Sequence, residues 1–195
     1  MKSSLFFFLP KRQPPSMQQL QQQTRSYFDG FAKLIEANCI TYKMRFPQNV
    51  PDQKLHHQIQ PFTNSSDMTF SLRTYLERFK VQDPKFNVFV VSLIYVGRFL
   101  DQIKCALTLR NSPRLITTAF SLAHKYFDDE RCFIQKMARN GGIPVKELVE
   151  LEVVFLQVIQ FNLNITQLEF DLYCDELEAY SKMNLSTLVD YILKY

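Results

Sequence analysis

The chain has 195 residues, 46% of them hydrophobic, which suits one domain with extensions and is tight for two. Only four glycines are present, which argues against a barrel or sandwich with many tight turns. The net charge of +4 comes from basic residues interleaved with acids, so there is no basic block dense enough to bind nucleic acid.

The N-terminal part precedes the main domain. Residues 1–26 are rich in glutamine and proline and are expected to be disordered. Apolar side chains recur at helical spacing over residues 27–40 and predict a helix there. Three prolines in residues 44–67 indicate a long irregular loop. Residues 27–70 are therefore expected to form one helix and one loop.

Five helices are predicted over residues 71–163. Asp83-Pro84 and Ser112-Pro113 each place an acceptor side chain before a proline, which is a helix start signal. The helix after Asp83 is apolar on nearly all sides, as expected at the centre of a bundle. The fourth helix is expected to end at Asn140-Gly141-Gly142 and the fifth to run over residues 145–160.

Residues 164–195 complete the predicted architecture. Two amphipathic helices are expected there, and there is no room for a second copy of the five-helix pattern. Helices of this length joined by short linkers predict an all-α fold with one five-helix domain and additional N- and C-terminal helices.

Two charged residues stand among apolar neighbours in these helices. They are Lys125, at the end of the third helix, and Glu152, within the fifth. A charge on a largely buried helix is costly unless something pairs with it. The two side chains could pair with each other, they could hold a protein partner, or they could do both.

No motif indicates an enzyme, a cofactor or a metal. A glycine-rich phosphate loop, a nucleophile motif and a paired acid/base signature are all lacking, so no small-molecule substrate is expected. The four cysteines are far apart and lack a Cys-x-x-Cys pair, which disfavours zinc. The longest apolar run, residues 88–96, is too short for a membrane span. Reduced cysteines and an intracellular location, in the cytoplasm and/or nucleus, are expected.

Four stretches of the predicted helices form a recognisable series. They are Tyr75-Leu76-Glu77-Arg78-Phe79, Ser92-Leu93-Ile94-Tyr95-Val96-Gly97-Arg98-Phe99-Leu100, residues 111–129 ending in Ala123-His124-Lys125-Tyr126-Phe127-Asp128-Asp129, and residues 140–163 beginning with Asn140-Gly141-Gly142-Ile143. In order and spacing they resemble the cyclin box, most closely that of the Pho-type (P/U-type) cyclins, and the resemblance covers residues 71–163, nearly half of the chain. Many cyclins have an aspartate at the position of Gly97, where it supports a contact with a buried arginine. Asp101, one turn later, could replace it.

The resemblance implies a regulatory subunit that has no catalytic activity and that binds and activates a cyclin-dependent protein kinase. Lys125 and Glu152 match the lysine and glutamate that hydrogen-bond the kinase backbone near its regulatory helix. Four further positions match residues that pack against that helix: Tyr126, Leu156, Phe161 and Leu163.

Two other functions are compatible with the same fold. One is a transcription protein that associates with nucleic acid, but such proteins carry two repeats and usually a zinc ribbon, and neither is seen in the sequence. The other is a helical scaffold that binds a kinase without activating it. A kinase activity assay separates this scaffold from an activating subunit.

Overall fold

Helices make up the regular structure of the described part of the chain. The computed structural model describes residues 17–46, 57–66, 68, 71–80, 86–127 and 133–194. The elements are α1 (Met17–Arg45), a 3-10 turn (Gln60–Phe62), α2 (Leu72–Lys80), α3 (Phe86–Ile103), α4 (Ser112–Phe127), α5 (Phe133–Gly141), α6 (Val145–Val158), α7 (Gln167–Lys182) and α8 (Leu185–Lys194). These residues contain no strand, which confirms the all-α prediction.

The predicted helices correspond to the observed ones. Helices α2–α6 are the five predicted for the main domain, and α7 and α8 are the two predicted after it. The Asp83-Pro84 start signal and residues 1–16, part of the segment predicted to be disordered, lie outside the described residues.

Helix α3 lies at the centre of the bundle because nearly all of its side chains are apolar. Every residue from 88 to 96 is buried. The Phe89 ring meets Phe120 of α4 edge-on at 5.4 Å and Phe28 of α1 at 5.5 Å. Phe120 also stacks on Phe79 of α2 at 4.9 Å. Such aromatic pairs contribute about 0.5–1.5 kcal/mol each beyond burial, so this cluster ties four helices together.

The connection between α1 and α2 is anchored in the core. Ile59 and Phe62 are fully buried. The Phe62 ring contacts Phe99 of α3 at 4.9 Å and Phe155 of α6 at 6.1 Å. The irregular loop expected over residues 44–67 therefore contains a pair of apolar anchors one turn apart.

Helix α1 is longer than predicted and begins at Met17, so it includes residues 17–26. Glutamine is a good helix former when packing supports the helix, and α1 packs on α7 and α8. Lys33 Nζ donates to the Ser181 carbonyl near the end of α7 at 2.6 Å, and Ser26 Oγ lies 2.9 Å from Ser181 Oγ. These contacts join the two ends of the chain.

Helix α5 ends where the sequence predicts. The Ile143 N–H donates to the Ala138 carbonyl at 3.0 Å, and the Gly142 N–H donates to the Arg139 carbonyl at 3.2 Å. Gly142 has φ +68°. This is a Schellman motif, in which one residue takes the left-handed conformation that glycine adopts most easily.

Candidate partner-binding site

A lysine and a glutamate meet between α4 and α6. Lys125 Nζ lies 2.5 Å from Glu152 Oε2. One turn before the lysine on α4, Ser121 Oγ donates to Glu152 Oε1 at 2.6 Å. Each carboxylate oxygen therefore has a partner, which offsets the cost of burying the charge. The lysine also lies in the last turn of α4, where the helix dipole favours a cation.

The pair faces solvent on the lysine side only. The side chain of Lys125 is 45% exposed, whereas that of Glu152 is 7% exposed. An ammonium carries three N–H donors, and one of them is directed at the carboxylate. Internal pairing and contact with a second molecule, the two explanations left open by the sequence, are therefore compatible.

The other four predicted residues lie at the end of α4, on α6 and in the segment just after α6. Tyr126 is 49% exposed and Phe161 is 66% exposed. Leu156 and Leu163 are half-buried and pack against the core. The Phe161 N–H donates to the Leu156 carbonyl at 2.8 Å, and the Leu163 N–H donates to the Phe161 carbonyl at 2.9 Å. Leu156 follows Glu152 by one turn, so α6 and the turn after it carry four of the six residues.

Buried Tyr95 of α3 links the two halves of this surface. Its hydroxyl donates to the Leu163 carbonyl at 3.0 Å. Burial, together with the neighbouring Tyr126 phenol, raises the pKa of Tyr95. Tyr126 at the end of α4 and Leu163 after α6 therefore approach the same side chain.

The exposed ring of Phe161 is carried by a strained turn. Gln160 and Phe161 have φ values of +54° and +55°. The Gln160 N–H donates to the Gln157 carbonyl at 3.1 Å, and the Phe161 N–H bonds Leu156 as described. This is the Schellman geometry of α5 with glutamine in place of glycine. Left-handed residues other than glycine cost about 1–2 kcal/mol each and cluster at functional sites.

Arg98 of α3 fixes the segment that follows this turn. Its Nη1 donates to the Asn162 carbonyl at 2.7 Å and its Nη2 to the Asn164 carbonyl at 2.9 Å. The same Nη2 pairs with Glu169 of α7 at 2.7 Å. Asp101 makes no hydrogen bond or ion pair within the described residues, so no replacement for the aspartate absent at Gly97 is seen among them.

Three valines extend the apolar surface along α6. Val145, Val149 and Val153 are 39%, 43% and 49% exposed. Residues four apart lie on one side of a helix, and a row of exposed apolar side chains is typical of an interaction surface. Sequence periodicity alone could not identify them, because apolar residues at this spacing usually form core.

The described residues show neither a candidate membrane span nor a candidate metal cluster. Their helices are each too short or too polar to cross a membrane. No group of three or more His, Cys, Asp or Glu side chains within them could hold a metal ion. Three cysteines of this part have free thiols, and of these Cys39 and Cys174 are buried.

Comparison with known proteins shows the family of the chain. The Cyclin family model matches residues 15–163, which include α1 to α6. The chain is 31% identical to Cyclin-P2-1 of Oryza sativa subsp. japonica over 128 residues, which are 65% of this chain and 59% of the relative. It is 34% identical to Cyclin-U4-2 of Arabidopsis thaliana over 126 residues, which are 63% of this chain and 58% of the relative. For Cyclin-P4-1 of Oryza sativa subsp. japonica the identity is 35% over 123 residues, 62% of this chain and 58% of the relative.

The matched regions span less than two thirds of the length of these relatives. The family match nevertheless covers most of the present chain, and the similarity to P- and U-type cyclins agrees with the motifs in its sequence. The chain belongs to the cyclin family.

Proposed function

We propose that this chain is a regulatory cyclin that binds and activates a cyclin-dependent protein kinase by packing on the kinase's regulatory helix. Family membership supports a cyclin-type regulatory role. The observation that carries the proposal is the half-exposed Lys125, which is joined to the buried carboxylate of Glu152 and followed in the chain by the half-exposed Tyr126.

The two charged groups suit recognition of a peptide backbone. The ammonium of Lys125 donates to carbonyl oxygens, and the carboxylate of Glu152 retains lone pairs that can accept from amide N–H groups. A helix end in the partner offers both kinds of group without intrahelical partners. Excluding water around the pair strengthens these hydrogen bonds.

Apolar contacts supply most of the binding energy in this arrangement. Tyr126, next to Lys125 in the chain, and Phe161, in the turn after α6, have large exposed rings, and aromatic side chains around a central anchor are typical interface hot spots. Burying a Phe-sized side chain contributes roughly 1.5–3 kcal/mol. Leu156 and Leu163 are half-buried and leave part of their side chains available for contact.

Activation follows from the position of the bound helix. The kinase's regulatory helix carries a glutamate that must pair with the lysine of the ATP site for phosphoryl transfer. A rigid surface that holds this helix inward completes the ATP site. Binding of the cyclin therefore shifts the kinase population toward its active conformation.

The test replaces both charged residues by alanine. The Lys125→Ala/Glu152→Ala chain is expected to lose about 2–5 kcal/mol of binding free energy to a purified cyclin-dependent kinase of the same organism. Glu178 and Lys182 of α7 form a matched control, because they are a Lys–Glu pair at 2.8 Å that is largely exposed. The Glu178→Ala/Lys182→Ala chain should bind as the unmodified chain does. Affinity is measured by calorimetry and helix content by circular dichroism.

A second variant keeps the test valid if the double variant fails to fold. Tyr126→Ala leaves the charged pair intact and removes a half-exposed ring, so the chain should fold normally and bind the kinase more weakly. Unchanged affinity of both variants would show that this surface is not the kinase interface. Phosphotransfer measured with and without the cyclin separates an activating subunit from a scaffold that only binds.

A further inference from the structure

A half-open cavity of about 430 Å³ lies among elements that do not carry the Lys125–Glu152 pair. Its walls come from α1, α3, the segment after α3, α7 and α8. The volume falls within the roughly 300–1,000 Å³ typical of small-molecule sites.

Most of the lining is apolar. Leu34 of α1 and Leu93 and Leu100 of α3 contribute aliphatic surface. Tyr42 of α1 and Phe46, just after α1, add two rings whose centroids are 5.1 Å apart, and Phe46 is 53% exposed. A molecule in this cavity would therefore bury an apolar body along α1.

Gly97 helps to keep the cavity open. It lies in the wall formed by α3, and a Cβ there would come 3.3 Å from the Tyr173 hydroxyl. An aspartate, which many cyclins have at this position, would fill part of this space. Gly97, the position at which this sequence departs from the family pattern, therefore lies in the cavity wall.

Thr41 gives the cavity an unsatisfied polar group. Its residue is 3% exposed, and its Oγ1 has no hydrogen-bond partner within the described part of the chain. A buried hydroxyl without a partner costs about 1–3 kcal/mol, and such groups are uncommon in native proteins. Thr41 lines the cavity, so a ligand that carries a further polar group could satisfy it, whereas binding of a cation at Glu176 does not depend on it.

Glu176 gives the lining a negative charge. It is exposed and forms no ion pair within the described residues. Tyr173 and Tyr180 lie one turn away on either side, and burial together with the Glu176 charge raises the pKa of both phenols. The basic residue of the lining, Arg45, donates to two carbonyls at the carboxyl end of α8. A carboxylate between aromatic rings attracts an organic cation through charge and cation–π contacts.

We propose that this cavity binds a small organic ammonium compound, with the charged nitrogen at Glu176 and the apolar body against α1 and α3. The site is separate from the proposed kinase-binding surface, and the proposal does not depend on it.

The test compares two probes of the same shape on the full chain. Phenyltrimethylammonium carries a permanent positive charge, and tert-butylbenzene is its uncharged carbon isostere. Titration followed by amide NMR signals should show saturable binding of the cation at the cavity-lining residues. The isostere should bind about fivefold more weakly or worse, because it lacks the charge and cation–π contacts.

A matched pair of variants tests whether the Glu176 carboxylate is the group that holds the cation. Glu176→Gln should weaken binding of phenyltrimethylammonium by about fivefold or more. Asp175→Asn removes the same charge from the adjacent exposed residue, which does not line the cavity, and should leave binding unchanged. Absence of saturable binding, equal binding of the two probes, or equal affinity of the two variants would each overturn the proposal. The probe comparison uses the unmodified chain and therefore needs no variant to fold.

Discussion

Phe161 combines an exposed ring with a backbone conformation that costs stability. The side chain is 66% exposed, so it gains little from burial, and its φ is +55°. Neither feature stabilises the folded chain, and strained residues of this kind are common at binding sites. The turn brings the Phe161 N–H to the carbonyl of Leu156, which lies one turn from Glu152. Folding and partner binding are therefore expected to favour different residues at this position.

Replacing Phe161 by glycine should separate these two requirements. Glycine adopts positive φ without strain, so the free energy of unfolding of Phe161→Gly should be unchanged or raised by up to about 1 kcal/mol. Kinase affinity should fall because the ring is lost. Phe161→Ala is the control, since it removes the ring and keeps the strain. Urea unfolding and calorimetry measure the two effects, and a large loss of stability in Phe161→Gly would contradict this interpretation.

Sequence alone could identify some of these residues and not others. Lys125 and Glu152 could be predicted because each is a charge among apolar neighbours, and such charges need a partner. The turn at Gln160 could not, because it takes a left-handed conformation without glycine. The contacts of Arg98 join residues 64 and 66 positions apart, so they depend on how the helices pack.

Between elements, the crossing of α1 and α7 depends on Gly30. A Cβ at this position would lie 1.9 Å from the Leu177 carbonyl oxygen, a backbone atom that cannot move without shifting α7. The absent side chain therefore lets the two helices approach closely. Lys33 and Ser26 add hydrogen bonds to Ser181 near the same crossing.

Alanine at Gly30 should push α1 and α7 apart. We expect Gly30→Ala to lower the free energy of unfolding by about 2–3 kcal/mol or more, as overpacking does. Gly97→Ala is a matched control inside α3, where the new Cβ would meet only the Tyr173 hydroxyl at 3.3 Å. Its cost should stay within roughly 1 kcal/mol, because alanine also gains about that much helix propensity. Urea unfolding of both variants tests the difference, and equal stability would exclude close packing at Gly30.

The predicted helices match the observed ones where apolar residues at helical spacing and glycine or proline signals indicate the same boundaries. The end of α5 before Gly142 follows from glycine chemistry. Helix α4 begins at Ser112, near the proline that predicts a start, but the Ser112 hydroxyl has no hydrogen-bond partner within the described residues and does not cap the helix. The start of α1 was missed because a glutamine-rich segment has no apolar stripe, and its helix depends on neighbours distant in sequence. Ile59 and Phe62 were missed because the surrounding prolines indicated a loop.

Across the whole molecule, the first and last described helices pack on each other. Helix α1 contacts α7 and α8 as well as the main domain, and Ala37 of α1 forms a small separate core with Leu188 and Val189 of α8. Burial in this assembly also affects ionisable groups. It raises the pKa of the Cys39 thiol and of the Tyr27 phenol to about 12. Both groups lie on α1.

Alkaline conditions should therefore weaken the fold. Between the ordinary thiol pKa of 9.0 and the folded value of about 12, Cys39 ionises only in the unfolded chain, which lowers the free energy of unfolding as pH rises. The loss attributable to this thiol is about 1.4 kcal/mol per pH unit at most. Cys39→Ala should show a shallower decline above about pH 9, with the remainder due to buried phenols such as Tyr27. Urea unfolding across this range measures both slopes, and identical slopes would contradict the assignment.

The contacts of Glu152 have a consequence for the kinetics of association. Its hydrogen bonds to Ser121 and Lys125 already exist in the free chain, so the conformational entropy of ordering these side chains is lost during folding and not during docking. If a kinase binds as proposed, it meets a preorganised surface, and the encounter requires little rearrangement on the cyclin side. Differences in affinity among surface variants should then appear mainly as differences in residence time.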